Sequence, residues 1–289
     1  MFDYASLAQA IADVLRARKA GLAWAPKRLA VPVAGGVLLC MPAADARLAV
    51  VKTITVHPGN RALPIIQGEI TVMEAATGRR LGVLDGPTVT ARRTAAVSLL
   101  AAGLLAPAND GPMLVIGAGV QAKAHVEAFW QGLGLRDICV ASRTPDRAAA
   151  MAASLGEQGI VVRVTTDVDG VAAAATIIAT CTTSREPVLP ERLRSDVFVS
   201  AVGSFSPEAA EVPASLVQRA ALFVDDLDAA RNEAGDYLRA GVDWNTVTAL
   251  EDVLDASQSL SGPVVFKTVG HALFDLAAAR HAFGAGFTG

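Results

Sequence analysis

Four positively charged side chains in the first part of the sequence stand where they could bind an anion. They are Arg28, Lys52, Arg92 and Arg93. Lys52 lies within the apolar run Leu48–Thr55, where an unpaired ammonium group is costly to bury. It therefore either reaches solvent at a strand edge or faces a cleft, where it could meet a carboxylate or share a proton with a substrate nitrogen. Arg28, just before the first apolar strand, could add a further cation.

Arg92 and Arg93 follow Thr90, which predicts the N-cap of a helix that runs to about Leu105. Both arginines would then lie in the first turn, where the helix dipole favours anions and disfavours cations. Such a pair is explained if it binds an anion, which could be a substrate carboxylate or a cofactor phosphate. The alternative is an arginine pair that points to solvent.

A glycine-rich segment, Gly117-Ala118-Gly119-Val120-Gln121-Ala122, predicts a dinucleotide site. It follows the apolar strand Met113–Ile116 and opens a helix, which is the context that the dinucleotide fingerprint requires. Gly117 permits the tight turn, Gly119 lets the backbone approach a pyrophosphate, and Ala122 keeps the helix close to the strand. Free N–H groups at the helix start then hold the phosphates.

The end of the next strand bears on which dinucleotide is bound. The strand predicted over Ile138–Ser142 ends in Ser142-Arg143-Thr144, with Arg147 one turn further on and no acid at the tip. NAD enzymes usually place an acid there for the ribose hydroxyl groups. Arg143 could instead clamp a 2′-phosphate, with hydrogen bonds from its two neighbours. We therefore predict NADPH as the cofactor; the alternatives are NADH, or arginines that are merely solvated.

The composition excludes several other kinds of function. The 289 residues include 25 basic and 28 acidic ones, with a net charge of −3 and no block of like charges, which argues against nucleic acid and membranes as partners. The apolar runs are too short to span a bilayer. The four histidines and Cys40, Cys139 and Cys181 show no metal-ligand spacing, so no metal site is predicted. Unpaired cysteines and the lack of a signal peptide predict a cytoplasmic protein.

Two kinds of sequence pattern must position these residues. An amphipathic helix over 4–20 is followed by short β-like runs from 29 to 84, which predict antiparallel strands. Breaker residues from Pro107 to Pro112 mark a linker. Beyond it, apolar strands alternate with helices up to about Val224, as in a doubly wound parallel sheet. A last helix is predicted over Thr268–Phe283.

Several segments resemble the ornithine cyclodeaminase/mu-crystallin family, in the family's order and over nearly the whole chain. The most specific are Thr90-Ala91-Arg92-Arg93-Thr94-Ala95-Ala96 and the segment from Gly117 to Ala122. The others are Met41-Pro42, Val51-Lys52, His57-Pro58-Gly59-Asn60, Ala201-Val202-Gly203 and Gly270-His271-Ala272 with Asp275.

The resemblance implies an α/β fold with two domains that bind different ligands. A Rossmann-type doubly wound parallel sheet at 107–261 would bind the cofactor. A smaller α+β domain, built from 1–106 and 262–289, would bind substrate and form a homodimer. Lys52 and Arg93 would be catalytic and would bind the substrate carboxylate with Arg28, with Gln67 nearby. Besides the residues argued above, the cofactor site would include Thr94, Thr180, Cys181, Val202 and Gly203.

One departure from the family pattern selects among its activities. Ornithine cyclodeaminases carry an aspartate shortly after the turn that matches Ala201-Val202-Gly203, and this acid handles the amine of ornithine. Here the position is Phe205, which offers an apolar wall for a ring but no acid or base. The surrounding stretch resembles the imine-reductase branch, including Δ1-pyrroline-2-carboxylate reductases. Phe205 is therefore predicted to contact the substrate.

The predicted reaction is the reduction of a cyclic imino acid by NADPH. Δ1-Pyrroline-2-carboxylate would give proline, and the six-membered ring would give pipecolate. Lys52 would donate or position the proton on the imine nitrogen, with an ordered water as the alternative donor. The rival interpretations are an ornithine cyclodeaminase, an alanine dehydrogenase-like enzyme and a non-catalytic NADPH-binding protein.

Overall fold

The computed structural model describes residues 3–60, 62–256 and 260–284, and the chain divides into two units. One unit joins Met1–Arg93 with His271–Gly289, and the other comprises Thr94–Gly270. The first division falls inside a helix, between Arg93 and Thr94. The predicted substrate cations belong to the first unit, and the glycine-rich segment belongs to the second.

The first unit contains an antiparallel sheet. Its strands are β1 (Ala23–Trp24), β2 (Leu29–Val33), β3 (Gly36–Asp45), β4 (Leu48–Val56), β5 (Ile66–Glu74) and β6 (Arg80–Asp85). Their spatial order is β1-β3-β4-β5-β6, and β2 also pairs with β3. The helices of this unit are α1 (Tyr4–Lys19), the first part of α2 (Gly86–Leu105) and α9 (Ala272–Phe283). Helix α9 packs on β3 and β4, and α1 packs on α9.

Alternation along β4 decides which face of this sheet is buried. Val50, Ile54 and Val56 are buried and alternate with more exposed residues, so one face is apolar and lies under α9. Lys52 occupies the same face, with 1% of its surface exposed. A charged residue thus takes a core position, which requires a partner.

The second unit contains an eight-stranded parallel sheet. Its strands are β7 (Met113–Ile116), β8 (Ile138–Ala141), β9 (Arg163–Thr165), β10 (Ile177–Thr180), β11 (Phe198–Ala201), β12 (Ala221–Val224), β13 (Val247–Ala249) and β14 (Val264–Lys267). Their spatial order is β13-β12-β14-β11-β10-β7-β8-β9. The helices that lie wholly in this unit are α3 (Val120–Gly132), α4 (Pro145–Gly156), α5 (Val168–Ala174), α6 (Ala214–Val217), α7 (Leu227–Glu233) and α8 (Gly235–Ala240).

The central strands of the parallel sheet are buried at every position. This holds for β7, β8, β10, β11 and β14, as expected for a sheet that is covered on both faces. The predicted α/β class, with a doubly wound parallel sheet in one unit and a smaller α+β unit, is confirmed. Among the described residues, no helix is both long and apolar enough to cross a membrane.

Helix α2 begins earlier than predicted, so the N-cap expected at Thr90 is wrong. The helix starts at Gly86, and the Asp85 carboxylate accepts a hydrogen bond from the Thr88 backbone N–H at 2.8 Å. Asp85 therefore caps the helix. Pro87 is accommodated in the first turn, because an N–H there would have no partner within the helix.

The segment before α9 also differs from the prediction. Strand β14 is not predicted, and the last helix begins at Ala272 instead of Thr268. The Thr268 hydroxyl donates a hydrogen bond to Asp225 at 2.6 Å. The same carboxylate accepts the backbone N–H groups of Val269 and Gly270. Asp225 thus holds this segment in an extended form outside the helix.

The units divide at other positions than the predicted boundaries, 106/107 and 261/262. The second half of α2 packs within the second unit, where Ser98 hydrogen-bonds His125 at 2.9 Å and Leu99 lies directly against Gly132. Strand β14 extends the second unit beyond residue 261. The predicted linker, Pro107 to Pro112, therefore lies within this unit.

Candidate active site

A buried ion pair joins β4 to α9 in the first unit. The Lys52 ammonium group lies 3.0 Å from one carboxylate oxygen of Asp275 and 3.1 Å from the other. Lys52 also donates a hydrogen bond to Thr90 Oγ1 at 3.4 Å. The two charged side chains are 1% and 0% exposed. Asp275 is thus the partner that a lysine in a core position requires.

Arg93 joins this pair from helix α2. Its Nε lies 3.7 Å from Asp275 Oδ1, and its guanidinium carbon lies 6.0 Å from the centre of the Phe274 ring. Arg28 is close enough to act electrostatically on Lys52. Two cations thus contact a single carboxylate, and their combined charge exceeds that of Asp275. The arrangement suits the binding of a second carboxylate, such as that of a substrate.

Burial is the main cause of a lowered pKa at Lys52, which falls from an ordinary value of 10.5 to about 8. The Asp275 carboxylate opposes this effect by stabilising the ammonium form, whereas repulsion from Arg93 and Arg28 adds to it. With a pKa of about 8, Lys52 holds a proton at neutral pH and releases it readily. This side chain can therefore serve as a general acid.

The two adjacent arginines of α2 have separate surroundings. Because α2 begins at Gly86, both lie beyond its first turn, and the predicted conflict with the helix dipole is wrong. The Arg92 guanidinium carbon lies 4.2 Å from the centre of the Tyr4 ring, where the cation stacks on the aromatic face. Arg93 contacts Asp275 instead, so the two adjacent side chains have different partners.

Gln67 lies on the opposite face of the sheet from Lys52. It pairs with Thr55 of β4, and residues that are paired directly across antiparallel strands project to the same face. Thr55 alternates with the buried residues that share the Lys52 face. The structure therefore brings Lys52, Arg93 and Asp275 together and places Gln67 apart from them.

Asp275 belongs to this candidate site, although the sequence analysis gave it no role and named it only as part of the family resemblance. A signal for its role exists, because it is the single acid in the stretch Ala272–Ala279 of α9, which is buried throughout. An isolated acid in one buried apolar element and an isolated lysine in another indicate an ion pair, since neither is tolerated alone.

The glycine-rich segment of the second unit lies between β7 and α3, as the sequence predicts. Gly117 has a φ of 128°, and a Cβ there would lie 2.5 Å from the Cys181 carbonyl oxygen. Gly119 is the exposed N-cap of α3, with open space where a Cβ would be. The first N–H groups of a helix have no intrahelical partner, and Gly119 has no side chain to cap them. These features fit a dinucleotide pyrophosphate.

The side chains predicted to select the dinucleotide follow strand β8. Ser142 Oγ accepts a hydrogen bond from the Thr144 backbone N–H at 3.2 Å. Arg143 and Arg147 are exposed, and neither side chain makes an ion pair or hydrogen bond with any residue in the described ranges. Two such cations are suited to a phosphate with two negative charges.

The other predicted cofactor residues of this sheet edge lie at or just after the ends of β10 and β11, which are neighbours in the sheet. Thr180 is fully buried and Val202 is nearly so. Cys181 is half-buried and contacts Gly117 through its carbonyl group. A Cβ on Gly203 would lie 2.0 Å from the Thr182 carbonyl oxygen, so the two loops touch.

Thr94 and Phe205 complete the predicted set. Thr94 is buried in α2 and is the first residue of the second unit. Phe205 lies in the loop after β11, with 47% of its surface exposed. Its ring is thus available to a ligand, as predicted for a substrate-contacting residue, and that role stays a prediction.

Known proteins resemble this chain over most of its length. A family model described as the ornithine cyclodeaminase/mu-crystallin family matches residues 2–284. The Δ1-pyrroline-2-carboxylate/Δ1-piperideine-2-carboxylate reductase of Azospirillum brasilense is 44% identical over 281 residues, which cover 96% of this chain and 89% of that protein. The ketimine reductase mu-crystallin of Mus musculus is 35% identical over 264 residues, which cover 88% and 83% of the two chains.

The fold is also similar to that of solved structures. One is Thermococcus litoralis Δ1-pyrroline-2-carboxylate reductase in complex with NADH and L-proline. It aligns with a TM-score of 0.91 at 24% identity and covers 98% of this chain and 93% of that one. At this identity the likeness bears on the fold alone.

Proposed function

The chain belongs to the ornithine cyclodeaminase/mu-crystallin family, and from this premise we propose that it reduces the C=N bond of a cyclic imino acid with NADPH. The observation that carries the proposal is the buried cluster of Lys52, Asp275 and Arg93. This cluster offers positive charge for a carboxylate and a proton for a nitrogen. The relative named for both Δ1-pyrroline-2-carboxylate and Δ1-piperideine-2-carboxylate supports five- and six-membered rings as substrates.

The chemistry of such a substrate matches the arrangement of the cluster. The carboxylate of Δ1-pyrroline-2-carboxylate is attached to the imine carbon, next to the nitrogen that must be protonated. Arg93 and Arg28 would bind the carboxylate and so orient the ring. Lys52 would then donate a proton to the nitrogen, while Asp275 keeps the lysine in its ammonium form. The six-membered ring preserves this relation, so the same residues serve both substrates.

The second unit would hold the dinucleotide. Backbone N–H groups at the start of α3, after Gly119, would bind the pyrophosphate. Arg143 and Arg147 would bind the 2′-phosphate, which NADH lacks, and this supports NADPH as the preferred cofactor. When bound, NADPH supplies the hydride that saturates the imine carbon.

A homodimer is proposed from the face of the antiparallel sheet opposite the one on which α9 packs. Such a sheet normally carries polar residues on a face that meets water. The larger apolar residues that the strand registers place on this face are Trp24, Leu29, Val31, Val33, Leu38, Cys40, Pro42, Val51, Met73 and Val83. Leu29 is 61% exposed and Trp24 is 56% exposed. An exposed apolar patch of this kind is typical of a protein interface, and a second copy presents the same patch.

The cytoplasm is proposed as the compartment of this protein, because its cysteines are present as free thiols. Cys40, Cys139 and Cys181 are free. Burial raises the pKa of Cys139, and it raises the pKa of Cys181 strongly, so both stay protonated and unreactive. Free cysteines are typical of proteins in reducing compartments.

The experiment that tests this function follows NADPH absorbance after adding Δ1-pyrroline-2-carboxylate to the purified protein. A parallel assay measures ammonia released from ornithine in the presence of NAD. We expect rapid NADPH oxidation by the imine and no ammonia. Ammonia from ornithine would identify a cyclodeaminase and reject the role argued for Phe205. Tight NADPH binding without either reaction would identify a non-catalytic binding protein.

A further inference from the structure

A second cluster of buried charges lies at the carboxyl ends of β10, β11 and β14. Glu211 is fully buried, and one carboxylate oxygen accepts hydrogen bonds from the Thr182 backbone N–H and hydroxyl, both at 2.7 Å. The other oxygen accepts the Gly203 N–H at 2.6 Å. Thr182 follows β10 and Gly203 follows β11, which is its neighbour in the sheet. One side chain therefore joins two adjacent loops.

Asp236 and Lys267 fix Glu211 in this position. Asp236 Oδ1 accepts the backbone N–H groups of Glu211 and Val212 at 2.6 and 2.9 Å. Its other oxygen lies 2.8 Å from Lys267 Nζ. Burial raises the pKa of Glu211, and the Lys267 ammonium group counteracts this effect. Buried charges are costly unless they are paired and hydrogen-bonded, and here these contacts hold the Glu211 carboxylate against both loops.

The loops that Glu211 joins also border the glycine-rich segment. Gly117, after β7, packs on the carbonyl group of Cys181, which directly precedes Thr182. Gly203, after β11, packs on the carbonyl group of Thr182. The turns after β7, β10 and β11 thus touch in series at the carboxyl edge of the sheet, where nucleotides bind in folds of this type. A displacement of Thr182 would reach both neighbouring turns.

We propose that Glu211 is a positioning residue for the dinucleotide, which holds the loops after β10 and β11 in the arrangement that the cofactor binds. This inference rests on the proposed function, because it assumes a dinucleotide at Gly117–Gln121. Glutamine cannot replace the carboxylate. Its oxygen could keep both contacts to Thr182, but its amide NH2 would then face the Gly203 N–H, which is also a donor. Glu211→Gln therefore releases the loop after β11.

The test compares Glu211→Gln with Asp226→Asn as the matched control. Asp226 is also a buried carboxylate of the second unit, and it caps α7 by accepting the Ala229 N–H at 2.7 Å. Dinucleotide affinity is measured by NADPH fluorescence, and loop opening by hydrogen exchange of peptides that contain Thr182 or Gly203. For Glu211→Gln we expect an NADPH Kd raised about tenfold or more and faster exchange near Gly203. Asp226→Asn should leave the Kd within about twofold.

The outcomes separate this proposal from the function on which it rests. Faster exchange in Glu211→Gln with an unchanged Kd would overturn the proposal, and so would an equal rise in Kd in both variants. If the unaltered protein bound neither NADPH nor NADH, the proposed function itself would fail. If Glu211→Gln does not fold, Thr182→Ala removes one donor to the same carboxylate and should raise the Kd about threefold. An unchanged Kd in that variant would likewise overturn the proposal.

Discussion

At Lys52, two opposing effects of the surroundings set the charge of the side chain. Burial favours the neutral amine, and the Asp275 carboxylate favours the ammonium ion. The balance gives a pKa of about 8, so the proton is present at neutral pH and lost as the pH rises. If Lys52 protonates the imine, kcat/KM for imine reduction decreases as the pH rises through this value.

Asp275→Asn tests this balance, because it removes the charge that stabilises the ammonium form. The pKa of Lys52 should fall below about 8, since burial and repulsion from Arg93 remain. The alkaline limb of the pH profile of kcat/KM then moves to lower pH, with a loss of about tenfold or more near pH 8. Asp45→Asn removes another buried carboxylate of the first unit, paired with Arg280, and should leave the limb in place. An unmoved limb in Asp275→Asn would exclude Lys52 as the proton donor.

Arg143→Ala tests the preference for NADPH at the same scale. Loss of one charged contact to the 2′-phosphate should raise KM for NADPH about tenfold and leave KM for NADH nearly unchanged. Steady-state kinetics with each dinucleotide measure both values. Arg194→Ala, an exposed arginine of the second unit paired with Asp196, serves as the control. Equal losses for both dinucleotides would show that Arg143 does not contact the 2′-phosphate.

At the scale of elements, periodic burial made most helices and strands predictable. Strand Met113–Ile116 is predicted and observed with the same bounds, because four consecutive buried positions leave a clear apolar run. No comparable pattern predicts where strand β14 lies in the sheet. It pairs with β11 and β12, and these contacts join segments that are distant in sequence. The start of α2 was missed because Asp85, Gly86 and Pro87 also suit a turn.

Some residues of the candidate site were predictable from local sequence, and others were not. Lys52 stands out as a charge within an apolar run, and the glycine-rich segment has a pattern of its own. The Lys52–Asp275 pair joins residues 223 positions apart, and no local pattern reports such a contact. The face of the sheet on which Gln67 lies was not predictable, because it depends on the strand register, which the sequence of a single strand does not show.

A buried chain of hydrogen bonds links three elements of the second unit. Ser200 Oγ of β11 lies 2.8 Å from Ser98 Oγ of α2, which lies 2.9 Å from His125 Nε2 of α3. His125 Nδ1 lies 2.8 Å from the Gln121 carbonyl oxygen and must donate to it, because a carbonyl oxygen only accepts. The neutral imidazole therefore satisfies both neighbours.

The burial of His125 in this hydrogen-bond network predicts that the stability of the protein depends on pH. Burial lowers the pKa of His125 from 6.5 to about 4, so the folded state resists a proton that the unfolded chain accepts. Above about pH 6.5 the neutral His125 costs no stability. As the pH falls from there towards 4, the free energy of unfolding decreases by ~3 kcal/mol. Urea unfolding between these pH values should show a smaller decrease in His125→Asn than in the unaltered protein. His57→Gln should keep the full decrease; an equal decrease in all three proteins would contradict the assignment to His125.

At the scale of the whole molecule, the exposed apolar patch on the face of the antiparallel sheet opposite α9 predicts a dimer in solution. Light scattering should give twice the mass of one chain. Val31→Glu places a charge on this face and should yield a folded monomer, because burying an unpaired carboxylate costs several kcal/mol. Val161→Glu is the control, since Val161 is 75% exposed and belongs to the second unit. A persistent dimer in Val31→Glu would mean that the copies associate through another surface.

The place of β14 in the sheet also affects how the protein folds during its synthesis. Because β14 lies between β11 and β12, the parallel sheet remains in two parts until Val264–Lys267 has left the ribosome. Helix α9, which covers β3 and β4, follows later still. Domains commonly fold in turn from the N-terminus during translation, but here neither unit can be completed early. The nascent antiparallel sheet thus has both apolar faces exposed for most of translation, a state in which molecular chaperones recognise their clients.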